Sequence, residues 1–171
     1  MLMKGRWDME ASGRVIATPK GRDLVLVRSL SLSQEEAWAY LTDSELTERW
    51  FGPWEGDDRA GGSVRVRMRF EANEPAIRVR IVACEAPRRL VLHTVDEYGN
   101  WELDLQLEAD GEDDSLLTFT HHLDSDADVG DIGPGWEYYL DLLVAATEDT
   151  EQPNFDQYYP ALREPYLKKL P

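Results

Sequence analysis

The hydrophobic residues of the chain follow two different spacings in different segments. The longer spacing, three to four residues, is clearest near the C-terminal end. There, large apolar residues recur at steps of three and four: Trp136, Tyr139, Leu140, Leu143 and Ala146. Residues at this spacing share one face of an α-helix. The pattern predicts a long helix over 133–146 whose apolar stripe must cover an equally apolar surface.

The tripeptide Gly133-Pro134-Gly135 marks the predicted start of that helix. Pro134 suits the first helical position because its missing N–H would lack an intrahelical acceptor there in any case. Glu137 then falls in the first turn, where the helix dipole favours a negative charge.

Between residues 61 and 122 the hydrophobic pattern has a period of two. The alternating apolar residues are Val64, Val66, Met68 and Phe70; Ile77, Val79 and Ile81; and Trp101, Leu103, Leu105 and Leu107. This alternation predicts antiparallel strands with one apolar face, and the runs 87–95 and 116–122 complete the set. Turn-rich segments at 72–75, 97–100 and 110–114 connect them as a meander.

Ahead of the meander, the segments 13–18 and 23–32 predict an opening hairpin. Two short helices should follow it. Ser33 and Glu36 have the spacing of a capping box, and Thr42-Asp43-Ser44-Glu45 offers a second such start for a helix that Gly52 and Pro53 bring to an end. Trp38 and Trp50 are expected on these helices, packed against the sheet. After the long helix, Pro165 predicts a short or kinked final segment.

Composition favours one domain. The 171 residues are 42% hydrophobic without a compositional break, which predicts a single domain over 1–171 with its core at 13–149 and an extension at 150–171.

The lone cysteine, Cys84, fits a reducing compartment. The opening residues lack a signal-peptide pattern and no run suggests membrane insertion, so we expect a cytoplasmic protein. A net charge of −16, from 34 acidic and 18 basic residues, disfavours nucleic-acid binding.

The order of these elements resembles the helix-grip fold of the START-like (SRPBCC) superfamily. The local resemblance is to the family named after the C-terminal domain of the heat-shock chaperone ATPase activator, and it covers roughly residues 25–166. Its blocks are Glu36-Ala37-Trp38-Ala39-Tyr40-Leu41-Thr42-Asp43 with Trp50-Phe51, then Gly61-Gly62, Ala86-Pro87-Arg88-Arg89-Leu90, Trp101-Glu102-Leu103, Leu117-Thr118-Phe119-Thr120-His121 and Gly135-Trp136-Glu137-Tyr138-Tyr139-Leu140. The implied class is α+β, a curved antiparallel sheet wrapped around a long C-terminal helix, with two short helices after the first long strand.

The helix stripe either is plain core or roofs a ligand cavity, as in many members of this superfamily. His121 shares strand parity with Leu117 and Phe119 and should point toward the apolar face. It is either a ligand anchor or general base, or a core histidine bonded to a neighbour. The candidate cavity residues are Trp101, His121, Trp136, Tyr139 and Glu137.

No metal site or cofactor is predicted, and no catalytic residue can be named. Aspartates at 124, 126, 128 and 131 suggest a calcium loop, but Val129 occupies the sixth position, where a glycine is needed, and Gly135 the twelfth, where a glutamate is needed. A solvated acidic loop near a helix start explains them better. Neither a hydrolase nucleophile motif nor a phosphate loop occurs.

A row of arginines is expected on the outer sheet face: Arg65, Arg67, Arg69, Arg78 and Arg80. It is either a solvated face balanced by Glu102 and Asp104, or a surface for an acidic protein partner. Because the superfamily includes chaperone activators, lipid carriers and polyketide cyclases, the resemblance leaves three functions open. We rank binding or carriage of an apolar or amphipathic small molecule first, chaperone-type protein regulation second, and cyclase- or hydrolase-type catalysis third.

Overall fold

The computed structural model of the chain describes residues 10–94 and 100–171. Eight antiparallel strands form one sheet in the order β1-β2-β8-β7-β6-β5-β4-β3. Their bounds are β1 Arg14–Thr18, β2 Gly21–Leu30, β3 Trp54–Gly56, β4 Ser63–Arg67, β5 Ala76–Glu85, β6 Arg89–Thr94, β7 Glu102–Ala109 and β8 Ser115–Leu123. The predicted hairpin and meander are confirmed, whereas β3 was not predicted. The predicted turn at 97–100 lies outside the described residues except for Asn100.

The helices occupy the positions that the helix-grip fold requires. They are α1 Gln34–Thr42, α2 Ser44–Thr47, α3 Val129–Glu148 and α4 Arg163–Leu167, with a short 3₁₀ turn at Phe155–Gln157. The predicted stripe of α3 is buried along its whole length and faces the apolar side of the curved sheet. The short final helix, with Pro165 inside it, agrees with the prediction for that segment. Among the described residues, no helix combines the length and apolarity that a membrane crossing requires.

The capping box before α1 is present as predicted. The Ser33 hydroxyl accepts a hydrogen bond from the Glu36 N–H at 3.2 Å, and the Glu36 carboxylate accepts one from the Ser33 N–H at 3.1 Å. The second helix is shorter than expected. It ends at Thr47, so Trp50 lies in the turn that follows, where it is buried and its indole N–H donates to the Tyr40 carbonyl at 2.8 Å.

The predicted start of the long helix was wrong. α3 begins at Val129, five residues before Pro134, because Asp128 caps it by accepting a hydrogen bond from the Gly130 N–H at 3.0 Å. Pro134 therefore lies inside the helix, near enough to its start to remove only one backbone hydrogen bond. Glu137 lies beyond the first turn, so its position has nothing to do with the helix dipole.

Candidate functional site

A cavity of about 240 Å³ lies between the sheet, the two short helices and Trp136 of α3. Strands β4 to β7 supply its aliphatic wall, and the segment from α1 to β3 supplies most of its aromatic wall. The aromatic lining residues are Trp38, Trp50, Phe51, Trp54, Trp101, Phe119 and Trp136.

Trp136 is the centre of the aromatic wall. Its ring lies 4.5 Å from that of Phe119, stacks nearly parallel to Phe51 at 6.4 Å, and meets Trp101 edge-on at 5.6 Å. Offset and edge-to-face contacts of this kind add to the stabilisation from burial. They hold the rings in fixed positions, so the aromatic wall is preformed.

Most polar side chains in the lining are already engaged within the protein. The Thr47 hydroxyl donates to the Gly52 carbonyl at 2.8 Å and the Thr42 hydroxyl donates to the Trp38 carbonyl at 2.9 Å. Among the described lining residues Asp58 alone is exposed, and we call its edge of the cavity the mouth. The rest of the lining is predominantly apolar.

His121 lies behind Trp136 and does not line the cavity. It is 3% exposed, and its Nδ1 accepts a hydrogen bond from the Trp136 indole N–H at 3.0 Å. Burial, together with the neighbouring His122, lowers the pKa of His121 from 6.5 to about 4. The imidazole is neutral at pH 7 and positions Trp136, as expected of a core histidine bonded to a neighbour.

Tyr139 also lies beside the cavity wall. Its ring is 5.1 Å from that of Phe51, and its hydroxyl donates a hydrogen bond to the Glu71 carboxylate. Burial and the Glu71 carboxylate raise the pKa of this phenol, so it stays protonated. Tyr139 therefore supports Phe51 and Trp136 from behind.

Glu137 lies far from the lining, on the other side of α3. Its carboxylate accepts hydrogen bonds from the Ser12 hydroxyl and the Arg28 guanidinium, both at 2.7 Å, and from the Tyr166 hydroxyl at 2.5 Å. Burial opposes ionisation, but these hydrogen bonds and the Arg28 charge outweigh it and lower the pKa of Glu137. Glu137 thus joins α3 to β1, β2 and α4.

Of the five candidate residues, Trp101 and Trp136 line the cavity, His121 and Tyr139 stand directly behind its wall, and Glu137 is elsewhere. Sequence reasoning missed the contribution of Phe51, Trp54 and Asp58 to the lining. The density of aromatic residues between 38 and 54 was the available signal, but that segment lacks a regular period to show which rings face inward.

Residues of the acidic loop before α3 and of the outer-face arginine row form ion pairs within the protein. Arg163 binds Asp128 at 3.0 Å and Asp131 at 2.5 Å, and the described part of the chain contains no group of three metal-ligating side chains. Arg67 and Arg69 pair with other acids than the expected Glu102 and Asp104. Those acids contact His93 at 3.5 Å and Arg89 at 2.7 Å, whereas Arg67 and Arg69 reach Glu74 and Glu48.

An eight-stranded antiparallel sheet around a long C-terminal helix, with two short helices after β2, defines the helix-grip fold of the START-like superfamily. The chain is similar to the crystal structure of CalU16 from Micromonospora echinospora, with 26% identity over 92% of this chain and 94% of that chain and a TM-score of 0.72. DynU16, from the dynemicin biosynthetic locus, shares 17% identity over 81% and 50% of the two chains, with a TM-score of 0.66. The Aha1 dimer from Colwellia psychrerythraea shares 16% over 74% and 96%, with a TM-score of 0.62.

The family model described as "Activator of Hsp90 ATPase homolog 1-like protein" matches residues 31–148. The chain belongs to this family, as the resemblance of its sequence blocks predicted. A comparison with curated protein sequences gave no match.

Proposed function

We propose that the protein binds an apolar or amphipathic small molecule in the cavity beneath Trp136. The observation that carries this proposal is the cavity of about 240 Å³, walled by aromatic and aliphatic side chains and open at one edge. A folded domain packs its interior densely and leaves few voids larger than a water molecule. A preformed apolar space of this size is therefore better explained by a ligand than by imperfect packing.

The volume limits the ligand. A dry engineered cavity of about 150 Å³ binds benzene, whereas pockets for drug-sized molecules begin at about 300 Å³. The cavity lies between these limits, at about 240 Å³. One or two fused rings, or a short branched chain, fit this space. The similarity to a protein of a biosynthetic locus agrees with a small-molecule ligand.

The positions of His121 and Glu137, the two acid–base candidates that the sequence offered, favour binding over cyclase- or hydrolase-type catalysis. His121 is neutral and its Nδ1 is occupied by Trp136, and Glu137 serves the opposite side of α3. A general acid or base must reach the reacting group of the substrate. Neither side chain reaches the cavity.

The alternative, regulation of a chaperone, is favoured by one surface observation. Arg65 on β4 and Arg80 on β5 are both exposed on the outer face of the sheet. Their guanidinium groups would attract an acidic protein partner, and the family description names an ATPase activator. Stimulation of an Hsp90 ATPase by the purified protein, lost in Arg65→Glu, would place this function first.

Thermal unfolding in the presence of 2-naphthylmethanol tests the binding proposal. At a hundred times its Kd, a ligand of the folded state adds about 2.7 kcal/mol of stability. For a domain of this size that corresponds to a rise in melting temperature of about 5–10 °C.

A matched pair of variants locates the site. Val79→Phe places a ring in the lining and should abolish the shift, whereas Val27→Phe, on the exposed outer face, should preserve it. The proposal is wrong if no indole- or naphthalene-sized compound, neutral or charged, produces a shift in the wild-type protein. It is also wrong if Val79→Phe folds and responds as the wild type does.

A further inference from the structure

The cavity carries one formal charge, and this charge lies at its mouth. Among the described lining residues Asp58 is the single carboxylate, and none is lysine, arginine or histidine. An anionic ligand such as a fatty acid would therefore meet a carboxylate and find no cation to bind. The lining electrostatics select against anions.

Asp58 has no ion-pair partner within the described parts of the chain. The nearby guanidinium of Arg59 is held instead by Asp57, whose two carboxylate oxygens accept hydrogen bonds from it at 3.0 and 3.2 Å. The backbone N–H of Arg59 also donates to Asp57, at 3.1 Å. Asp57 thus holds the Arg59 guanidinium by direct contact, whereas Asp58 interacts with it only through space and keeps its carboxylate oxygens without an ion-pair contact among the described residues.

Cys84 shows that the Asp58 charge acts on the cavity edge. Burial, together with the negative charge of Asp58, raises the pKa of the Cys84 thiol, which also lines the cavity. Residue 84 faces inward beside Leu90, its partner on β6. The thiol is neutral, so the carboxylate of Asp58 is the charge that a ligand entering the mouth encounters.

The half-buried rings of Trp38 and Trp54 also line the cavity and reach its accessible side. Indole faces attract cations, with about 0.5–1 kcal/mol at exposed sites. The net charge of −16 raises the local concentration of cations over the whole surface. Aromatic walls, a free carboxylate and an acidic protein all favour the same kind of ligand.

We propose that the ligand is an organic cation, an apolar ring of one or two cycles carrying a protonated amine, with the ring in the cavity and the ammonium group at Asp58. This inference rests on the binding function proposed above and specifies its ligand class. The ring accounts for the aromatic walls, and the amine accounts for the one unpaired charge at the mouth.

Three naphthalenes that differ only in their head group test the ligand class: 2-naphthylmethylamine, 2-naphthylmethanol and 2-naphthoate. Calorimetric titration should give the amine about three- to tenfold tighter binding than the alcohol, the range expected for an exposed ion pair with cation–π support. The naphthoate should bind more weakly than the alcohol. Because Asp58 is exposed, raising the salt concentration should narrow the gap between amine and alcohol.

Asp58→Asn should remove most of the preference for the amine over the alcohol, leaving only the part that the indole faces contribute. The matched control is Asp126→Asn, an exposed aspartate in the loop before α3 that loses the same net charge far from the lining. It should keep the preference for the amine.

The outcomes separate this inference from the proposed function. Equal binding of all three compounds to the wild-type protein, or a preference for the amine that survives undiminished in Asp58→Asn, overturns the organic-cation ligand while the cavity remains a binding site. A preference lost equally in Asp126→Asn shows an effect of net charge and also overturns it. Failure of all three compounds to bind contradicts the proposed function itself.

Discussion

The hydrogen bond between Trp136 and His121 links the cavity wall to the sheet. Trp136 donates its indole proton to Nδ1, so His121 must keep that nitrogen unprotonated and carry its own proton on Nε2. Protonation of the ring would convert this acceptor into a donor facing another donor. The orientation of Trp136, and with it the shape of the cavity, therefore depends on a neutral histidine.

This dependence predicts a loss of stability in acid. Because burial lowers the folded-state pKa of His121 from 6.5 to about 4, the unfolded state binds the proton first as the pH falls. The contribution is fully present above pH 6.5 and is lost progressively as the pH falls toward 4. It amounts to about 3 kcal/mol, at about 1.4 kcal/mol per pKa unit. Urea unfolding of the wild type and of His121→Asn at pH 7 and pH 4.5 measures it.

The difference between the two proteins isolates the histidine, since carboxylates such as Glu137 titrate in both. The wild type should lose about 2–3 kcal/mol more than His121→Asn between these two pH values. Parallel losses would show that His121 has an ordinary pKa in the folded protein. The hydrogen bond from Trp136 would then exert no control over its protonation.

At the scale of elements, two faces of α3 make different contacts with the rest of the protein. One face carries Trp136 and Tyr139 toward the cavity and its supports, and the other carries Glu137 and Asp141. Arg28 of β2 lies between these two acids, with its guanidinium 2.7 Å from Glu137 and 2.9 Å from Asp141. Ion pairs with Arg28 thus attach one face of α3 to the sheet, and the aromatic face of α3 contributes to the cavity wall.

Glu137→Gln should destabilise the fold without weakening ligand binding. Removing one member of a buried ion pair lowers the free energy of unfolding by about 3–5 kcal/mol. Because Arg28 keeps its contact with Asp141, we expect a loss at the lower end of this range, about 3 kcal/mol. Denaturant unfolding gives that loss, and titration with 2-naphthylmethanol gives the affinity. A large change in Kd with little change in stability would return Glu137 to the ligand site.

Hydrophobic period predicted most of the elements and part of the site. Alternation along β4, β5 and β7 and the stripe of α3 each extend over enough residues to be unambiguous. β3 has three residues and shows no period, and the start of α3 depends on the Asp128 cap, which competed with a more conspicuous proline. Trp54 lies in β3 and Asp58 follows it, in a stretch without a hydrophobic period. Only the folded chain therefore shows that they line the cavity.

At the scale of the whole molecule, the segment 150–171 after α3 determines how far the domain extends. We propose that this segment folds as part of the same domain. Tyr158 and Tyr166 are almost completely buried against the helix. The Tyr166 hydroxyl contacts both Glu137 and the Gly13 N–H, the latter at 3.1 Å. One phenol therefore joins the segment before β1 and the C-terminal segment to α3.

Gly133 explains how this docking is achieved. A Cβ built on it would lie 2.6 Å from the Tyr166 ring, whereas one on Gly135 would meet nothing within 4 Å. The glycines that suggested a turn thus lie inside a helix, and the first of them makes room for the C-terminal segment. The pair forms a natural comparison, since both are helical glycines two residues apart.

Gly135→Ala should stabilise the protein by up to about 1 kcal/mol, because alanine is the better helix former and the site is open. Gly133→Ala gains the same propensity but forces the Tyr166 ring away. It should therefore be less stable than Gly135→Ala and should expose 150–171 to limited proteolysis, with cleavage after Lys168 or Arg163 as the readout. If both variants melt together and resist trypsin equally, the C-terminal segment is not held by the Gly133–Tyr166 contact.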